Sequence, residues 1–219
     1  MKEPSSLRSR ILWSAGRPVI KFVGRVGFSL KVEHQADLPV APYVIAANHY
    51  SHFDPPAVGV AAGIPIRFLA LDDLFGVHRL LDWLITGFGA IPIPRTRRPI
   101  RAVRTALAAL EAGEVVGVFP EATRVSHWGT LQPKRGAAWL AKRAGVPLVP
   151  VAVIGTGLAF SLDNQIRRAK TGVIIGAPID PSVGDVDDLT RLWAEWIGEQ
   201  VGRHPDSEAE GPPRAHFAG

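Results

Sequence analysis

Asn48, His49 and Asp54, within the stretch AANHYSHFDPP, are residues whose types and spacing suit proton transfer. A histidine titrating near neutrality can take a proton from a hydroxyl and give it up again within one turnover. A carboxylate on its other ring nitrogen fixes the tautomer and stabilises the imidazolium formed in between. Residues five apart in a helix are rotated by about 500°, so His49 and Asp54 share no helical face and a turn must bring them together. The sequence supplies one. The apolar run from Tyr43 to Ala47 reads as a buried strand that stops at Asn48-His49, and Asp54 stands before Pro55 as a cap stands before a first helical turn. Asn48 is placed to brace that turn through its amide. The plainer alternative is that Asp54 only caps a helix and His49 only ends a strand.

A second cluster, VVGVFPEATR from Val115 to Arg124, repeats the pattern of a buried strand stopped by a proline. If the two strands are parallel members of one sheet, Glu121 and Arg124 emerge at the same carboxyl edge as His49, where open α/β sheets bind ligands. Arg124 offers a fork of donors suited to phosphate, and Thr123 adds a hydroxyl. Glu121 either orients that arginine or accepts from a substrate hydroxyl; a surface Glu121–Arg124 pair worth ~0–1 kcal/mol is the alternative. In the third cluster, GAIPIPRTRR from Gly89 to Arg98, Arg95 lies closest to a strand end, while Arg97 and Arg98 face solvent or lipid headgroups. Pro92 and Pro94 remove backbone donors there, which argues for an edge or irregular strand.

Ser51 lacks the GxSxG elbow of a nucleophilic serine and reads as a turn hydroxyl. His52 packs beside the first turn. His34, His78, His127, His204 and His216 show no metal-ligand spacing.

These residues need elements to hold them. Apolar runs at 43–47, 67–70, 90–93, 115–119, 148–154 and 173–175 read as buried strands, and 55–62, 77–86, 99–111, 136–144 and 186–201 as helices. Val103, Ala106, Leu107 and Leu110 share one helical face, and Leu189, Leu192, Trp193, Trp196, Ile197 and Gln200 another. Trp139, Trp193 and Trp196 read as core or helix-stripe residues. Strands alternating with helices imply crossover connections and a mostly parallel sheet.

The 219 residues are 47% hydrophobic, enough for one domain with a substantial core, and they lack cysteine, which excludes disulfides, thiolate metal sites and a cysteine nucleophile. A net charge of +5 with a pI of 10.0 points to anionic partners. Arg8, Arg10, Arg17, Lys21, Arg25 and Lys31 are interleaved with Trp13, Phe22, Phe28 and aliphatic residues in the first 31 positions. No apolar run there reaches the roughly 20 residues of a bilayer span, and Arg17 and Lys21 interrupt any signal-peptide core. The segment reads as an amphipathic helix lying in a membrane interface; a helix packed on the domain with its cations solvated is the alternative. No nucleic-acid reader motif is present.

The three clusters, in this order, resemble the glycerolipid acyltransferase family that includes the lysophosphatidic acid acyltransferases. NHYSHFD matches its NHxxxxD motif at Asn48, His49 and Asp54, GAIPIPR resembles its second motif with Gly89 and Arg95, and FPEATR resembles FPEGTR at Phe119, Pro120, Glu121, Thr123 and Arg124. VPLVPVA, from Val146 to Ala152, looks like the fourth motif, with Pro150 near the acyl pocket, and PKRGAAWLAKRAG resembles the connecting segment at Lys134 and Gly136. Ala122 departs from the usual glycine; at a positive φ it would be strained by ~1 kcal/mol or more.

The resemblance spans roughly 32–179. It implies that His49 is the base and Asp54 its orienting carboxylate, and that Arg95, Glu121, Thr123 and Arg124 hold the acceptor's phosphoglycerol end. Asn48, Gly89, Lys134 and Pro150 would be supporting residues. It implies no metal and no cofactor, with acyl-coenzyme A or acyl carrier protein as co-substrate and a lysophospholipid as acceptor. The expected fold is a single α/β domain with a mixed, mostly parallel sheet flanked by helices. The expected organisation is a basic amphipathic leader (1–30), an acyltransferase domain (31–202) and a disordered tail (203–219). The expected reaction acylates lysophosphatidic acid to phosphatidic acid at the cytoplasmic face of the cell membrane, with a peripheral attachment to its anionic surface. Another lysophospholipid or a glycolipid as acceptor, and a non-catalytic lipid-binding protein, are the competing readings.

Overall fold

The computed structural model describes residues 7–27, 29–72, 85–95, 98–159, 167 and 169–205. In chain order the elements are α1 (Leu7–Gly27), β1 (Lys31–His34), β2 (Val44–Ala47), α2 (Asp54–Ala62), β3 (Ile66–Leu71), β4 (Ile91–Ile93), α3 (Ile100–Glu111), β5 (Val115–Val118), α4 (Gly136–Ala144), β6 (Leu148–Ile154), the single turn α5 (Thr156–Ala159), β7 (Gly172–Ile175) and α6 (Val186–Gly202). The strands form one sheet in the order β1-β7-β6-β2-β5-β3-β4. β6 and β7 run antiparallel; every other neighbouring pair is parallel. The expected mixed, mostly parallel α/β sheet is therefore the fold.

β2 and β6, with every residue buried, lie at the centre of the sheet. That burial on both faces is why their sequences are unbroken apolar runs rather than alternating ones. Val44, Ala46, Val116 and Leu148 face one layer, closed by Leu110 of α3, Leu140 of α4 and Trp193 and Ile197 of α6. Ile45, Ala47, Val149 and Val151 face the other, closed by Ala57, Val58 and Ala61 of α2. Trp193 also donates its indole N–H to the carbonyl of Ala46 at 2.8 Å, tying α6 to the strand that leads into His49. β4 is the terminal strand, in keeping with Pro92 within it and Pro94 just beyond its end.

α1 is not free-standing: it packs on α2. A Cβ at Gly59 would lie 2.9 Å from the Trp13 ring, so the missing side chain is what lets the indole settle on α2. No helix among the described residues is long and apolar enough to cross a membrane.

Three sequence expectations need correction. β1 went unread because all four of its residues are exposed and two are charged, leaving no apolar run to find. Trp139 is 40% exposed on α4 and belongs to no core, unlike Trp193 at 1%. The residue at the N-cap of α2 is Phe53, with no side-chain cap, and Asp54 is already helical. Its carboxylate turns back to the preceding loop instead. The helix expected over 77–86 falls mostly outside the described residues, as do Arg97 and positions 206–219.

Candidate active site

β2 and β5 are parallel neighbours, with Ala46 opposite Val118, so the loops that follow them leave at one edge. The loop after β5 then grips the loop after β2 at two points. The backbone N–H of Val125 donates to the carbonyl of His49 at 2.9 Å. The N–H of His49 donates to Oε2 of Glu121. On the other side of β2, Asn48 reaches across to β6. Its Nδ2 donates to the carbonyl of Val153 at 2.9 Å, and its Oδ1 accepts from the N–H of Val153 at 2.7 Å. A side-chain amide thus continues the sheet by one rung after the β2 backbone has turned away.

Within this frame Oδ2 of Asp54 lies 2.8 Å from Nδ1 of His49 and accepts from the N–H groups of Tyr50 and Ser51, both at 2.7 Å. Asp54 is fully buried, whereas the His49 side chain is 16% exposed. The imidazole stacks on Phe119, ring centroids 4.1 Å apart, and Phe119 stacks on Phe68 at 5.3 Å. The ring is thus held by a carboxylate at one nitrogen and an aromatic face, leaving Nε2 as the nitrogen for proton exchange.

Of the sequence-predicted residues, Asn48, His49, Asp54 and Glu121 converge, and Arg124 is buried beside them. Burial lowers the basicity of Arg124, and the negative charge of Asp54 opposes that loss. Thr123 is half-buried in the same loop. The backbone of Lys134 closes on it, its N–H donating to the carbonyl of Pro120 at 2.7 Å while the side chain is exposed. Arg95 is exposed beyond the carboxyl end of β4, on the same edge but three strands away from β2. Ala122 adopts φ +60°, the left-handed conformation that its family glycine would take without strain.

Gly89 and Pro150 are not brought to this edge. Gly89, at φ +74°, turns the chain before β4 and its carbonyl accepts from Nε of Arg67, at the amino end of a strand that runs parallel to β3, β5 and β2. Pro150 lies opposite Ala46 within β6 and lines a groove with Ile179 and Trp196 on the α6 side. His49 lies on the α2 side; strand alternation separates the two. The part of Phe119 as the ring beneath His49 was missed, although its place at the strand end in FPEATR was the available signal.

A histidine held by a buried aspartate on the carboxyl edge of a mixed α/β sheet is an arrangement suited to proton exchange in a group-transfer enzyme. Residues 29–154 match the model of the family described as Acyltransferase. A 1-acyl-sn-glycerol-3-phosphate acyltransferase of Bacillus subtilis is 31% identical over 153 residues, covering 68% of this chain and 73% of that protein. A 1-acyl-sn-glycerol-3-phosphate acyltransferase alpha of Mus musculus is 36% identical over 163 residues, 70% of this chain and 55% of that one. A chloroplastic relative from Arabidopsis thaliana is spanned to only 46% of its length. The crystal structure of a 1-acyl-sn-glycerophosphate acyltransferase, PlsC, from Thermotoga maritima shares the fold, with a TM-score of 0.69, 22% identity and coverage of 90% of this chain and 84% of that one. The chain belongs to the acyltransferase family and is an enzyme of that class.

Proposed function

We propose that this chain transfers an acyl group from an acyl thioester, acyl-coenzyme A or acyl carrier protein, to the free hydroxyl of lysophosphatidic acid, giving phosphatidic acid. The observation that carries the reading is the buried Asp54 at 2.8 Å from Nδ1 of a His49 that keeps one side open. Nε2 of His49 takes the acceptor's hydroxyl proton as the oxygen attacks the thioester carbonyl. The tetrahedral intermediate collapses, the C–S bond breaks, and the imidazolium returns its proton to the departing thiolate. The products are an ester and a free thiol. Asp54 holds the ring and offsets the imidazolium charge, and Phe119 keeps the ring from tilting. Arg95 supplies a cation for the acceptor's phosphate on the same edge, with Thr123 nearer the base.

α1 is proposed to rest on an anionic membrane. At about 100° per residue, Trp13, Gly16, Ile20 and Gly24 share the face that packs on the body. Val19, Phe22 and Val26 form a second face, 61%, 67% and 66% exposed. Arg17, Lys21 and Arg25 form a third. An exposed apolar stripe flanked by cations suits a helix lying in a headgroup layer.

The test is thiol release from acyl-coenzyme A, with lysophosphatidic acid and other lysophospholipids or glycolipids as acceptors. Release with lysophosphatidic acid that disappears in His49→Ala supports the reading; release confined to another acceptor replaces the substrate. Activity retained in His49→Ala would sink the assignment of the base. Replacing Arg17, Lys21 and Arg25 by Glu should weaken binding to anionic vesicles, and unchanged partitioning would remove the electrostatic part.

A further inference from the structure

Gly117 stands inside β5, where a glycine weakens the strand and calls for a reason in whatever approaches it. The reason is a ring. Gly117 lies opposite Phe68 of β3 and Ile45 of β2, and a Cβ built on it would fall 2.4 Å from both Cδ1 and Cε1 of Phe68. The missing side chain therefore lets the Phe68 ring lie over β5. Two residues on, and on the same face, Phe119 leaves the carboxyl end of β5 and stacks on that ring, with centroids 5.3 Å apart and planes inclined by 13°. The imidazole of His49 continues the column, 4.1 Å from Phe119 and inclined by 21°. Three near-parallel rings, from β3, the end of β5 and the loop after β2, thus run from the Gly117 vacancy to the base.

We propose that Phe68, seated by Gly117, is a positioning residue that acts through Phe119 to fix the plane of the His49 imidazole. The hydrogen bond to Asp54 anchors one edge of that ring, at 2.8 Å from Nδ1. The last torsion of a histidine is broad, so an edge anchored alone leaves a pivot. Tilting about it would carry Nε2 off the line of the hydroxyl that it must deprotonate. Phe119 closes the pivot from one face, but it stands at a strand end and is itself only half-buried. Phe68 backs it from a strand that is hydrogen-bonded to β5, so the column is braced by the sheet. The negative face of a phenyl ring also attracts the imidazolium formed in proton transfer, and the backing keeps that face presented.

The role rests on His49 as the base, yet one readout needs no turnover. In thiol-release kinetics, Phe68→Leu, which keeps an apolar side chain but no ring, should lower kcat by about threefold to tenfold. The KM values of acceptor and acyl-coenzyme A should stay within about twofold. Phe68→Tyr, which keeps the ring, should restore most of kcat. Beside Phe119→Leu, the further loss from Phe68→Leu should be under about twofold, because the link to the base is already gone. Gly117→Ala, whose methyl needs the space of the Phe68 ring, should reproduce the Phe68→Leu loss; if it does not fold, the Phe68 variants decide. The ring protons of His49, assigned by their absence in His49→Gln, should move downfield in the NMR spectrum of Phe68→Leu as Phe119 shifts off the imidazole face. An unmoved His49 resonance, or equal kcat losses with and without Phe119, would overturn the proposal. A change confined to the donor KM or to acyl-chain-length preference would make Phe68 a wall of the donor site and overturn it too. A base other than His49 would show instead as activity surviving in His49→Ala, whereas the resonance reports on the ring column alone.

Discussion

Replacing Ala122 by glycine should make this protein more stable, against the usual effect of adding a glycine. Ala122 sits at φ +60°, and its N–H closes a turn onto the carbonyl of Phe119 at 2.9 Å, immediately after Glu121. For a residue with a Cβ, the left-handed conformation costs about 1–2 kcal/mol. Glycine occupies it without that cost, but its freer unfolded chain takes back about 0.5–1 kcal/mol. The net gain is about 1 kcal/mol, and for a domain of this size that raises the melting temperature by roughly 2–4 °C. Thermal melts followed by circular dichroism at matched concentration measure it directly. Thiol-release assays on the same samples should show activity preserved, because the turn's hydrogen bond uses backbone atoms that the substitution leaves in place. An unchanged or lower melting temperature would refute the reasoning and show that the Ala122 methyl makes contacts worth more than its backbone strain.

Asn48→Ala removes both hydrogen bonds to Val153 and leaves its buried N–H without that acceptor. Urea unfolding followed by tryptophan fluorescence should show a loss of about 3 kcal/mol; a loss below about 1 kcal/mol would mean that the amide rung is not structural. Asp54→Asn replaces an acceptor of three donors with an amide that cannot serve them all, so kcat should fall by about 10³-fold or more, measured by thiol release in protein shown to be folded. A near-native kcat would remove Asp54 from the proton-transfer machinery. Burial pushes the Tyr43 hydroxyl up to about 12. The unfolded chain releases that proton near its ordinary value of about 10, so stability present below pH ~10 declines progressively as the pH rises towards ~12. Tyr43→Phe should flatten that alkaline decline, and an identical pH–stability curve in the variant would exclude Tyr43 as its source.

The parts of the site that were legible in the sequence are those whose signals are local. His49 and Asp54 are five residues apart, so a strand end, a proline and a turn sufficed to pair them. The unbroken apolar run of β2, and the prolines that confine β4 to the sheet margin, are likewise written in short windows. β1 was illegible because its hydrogen bonds come from β7, about 140 residues away, and its exposed side chains carry no apolar pattern.

The sequence by itself determined the family and the pairing of His49 with Asp54, since residue types at fixed spacing survive without coordinates. The contents of the loops could be read; their contacts could not. Glu121 was expected to meet substrate or Arg124, and the contact that the sequence did not foretell is the one its Oε2 makes with the backbone N–H of His49. Asp54 was expected to cap α2, yet its carboxylate turns back onto the Tyr50 and Ser51 amides. Pro150 was expected among the supporting residues, and only the sheet shows that it faces the α6 side, away from His49. Each of these depends on which strands are neighbours and which face a side chain takes. Strand order is set by long-range packing of the two apolar layers, and a polar group buried by that packing must find whatever partner the fold places within reach.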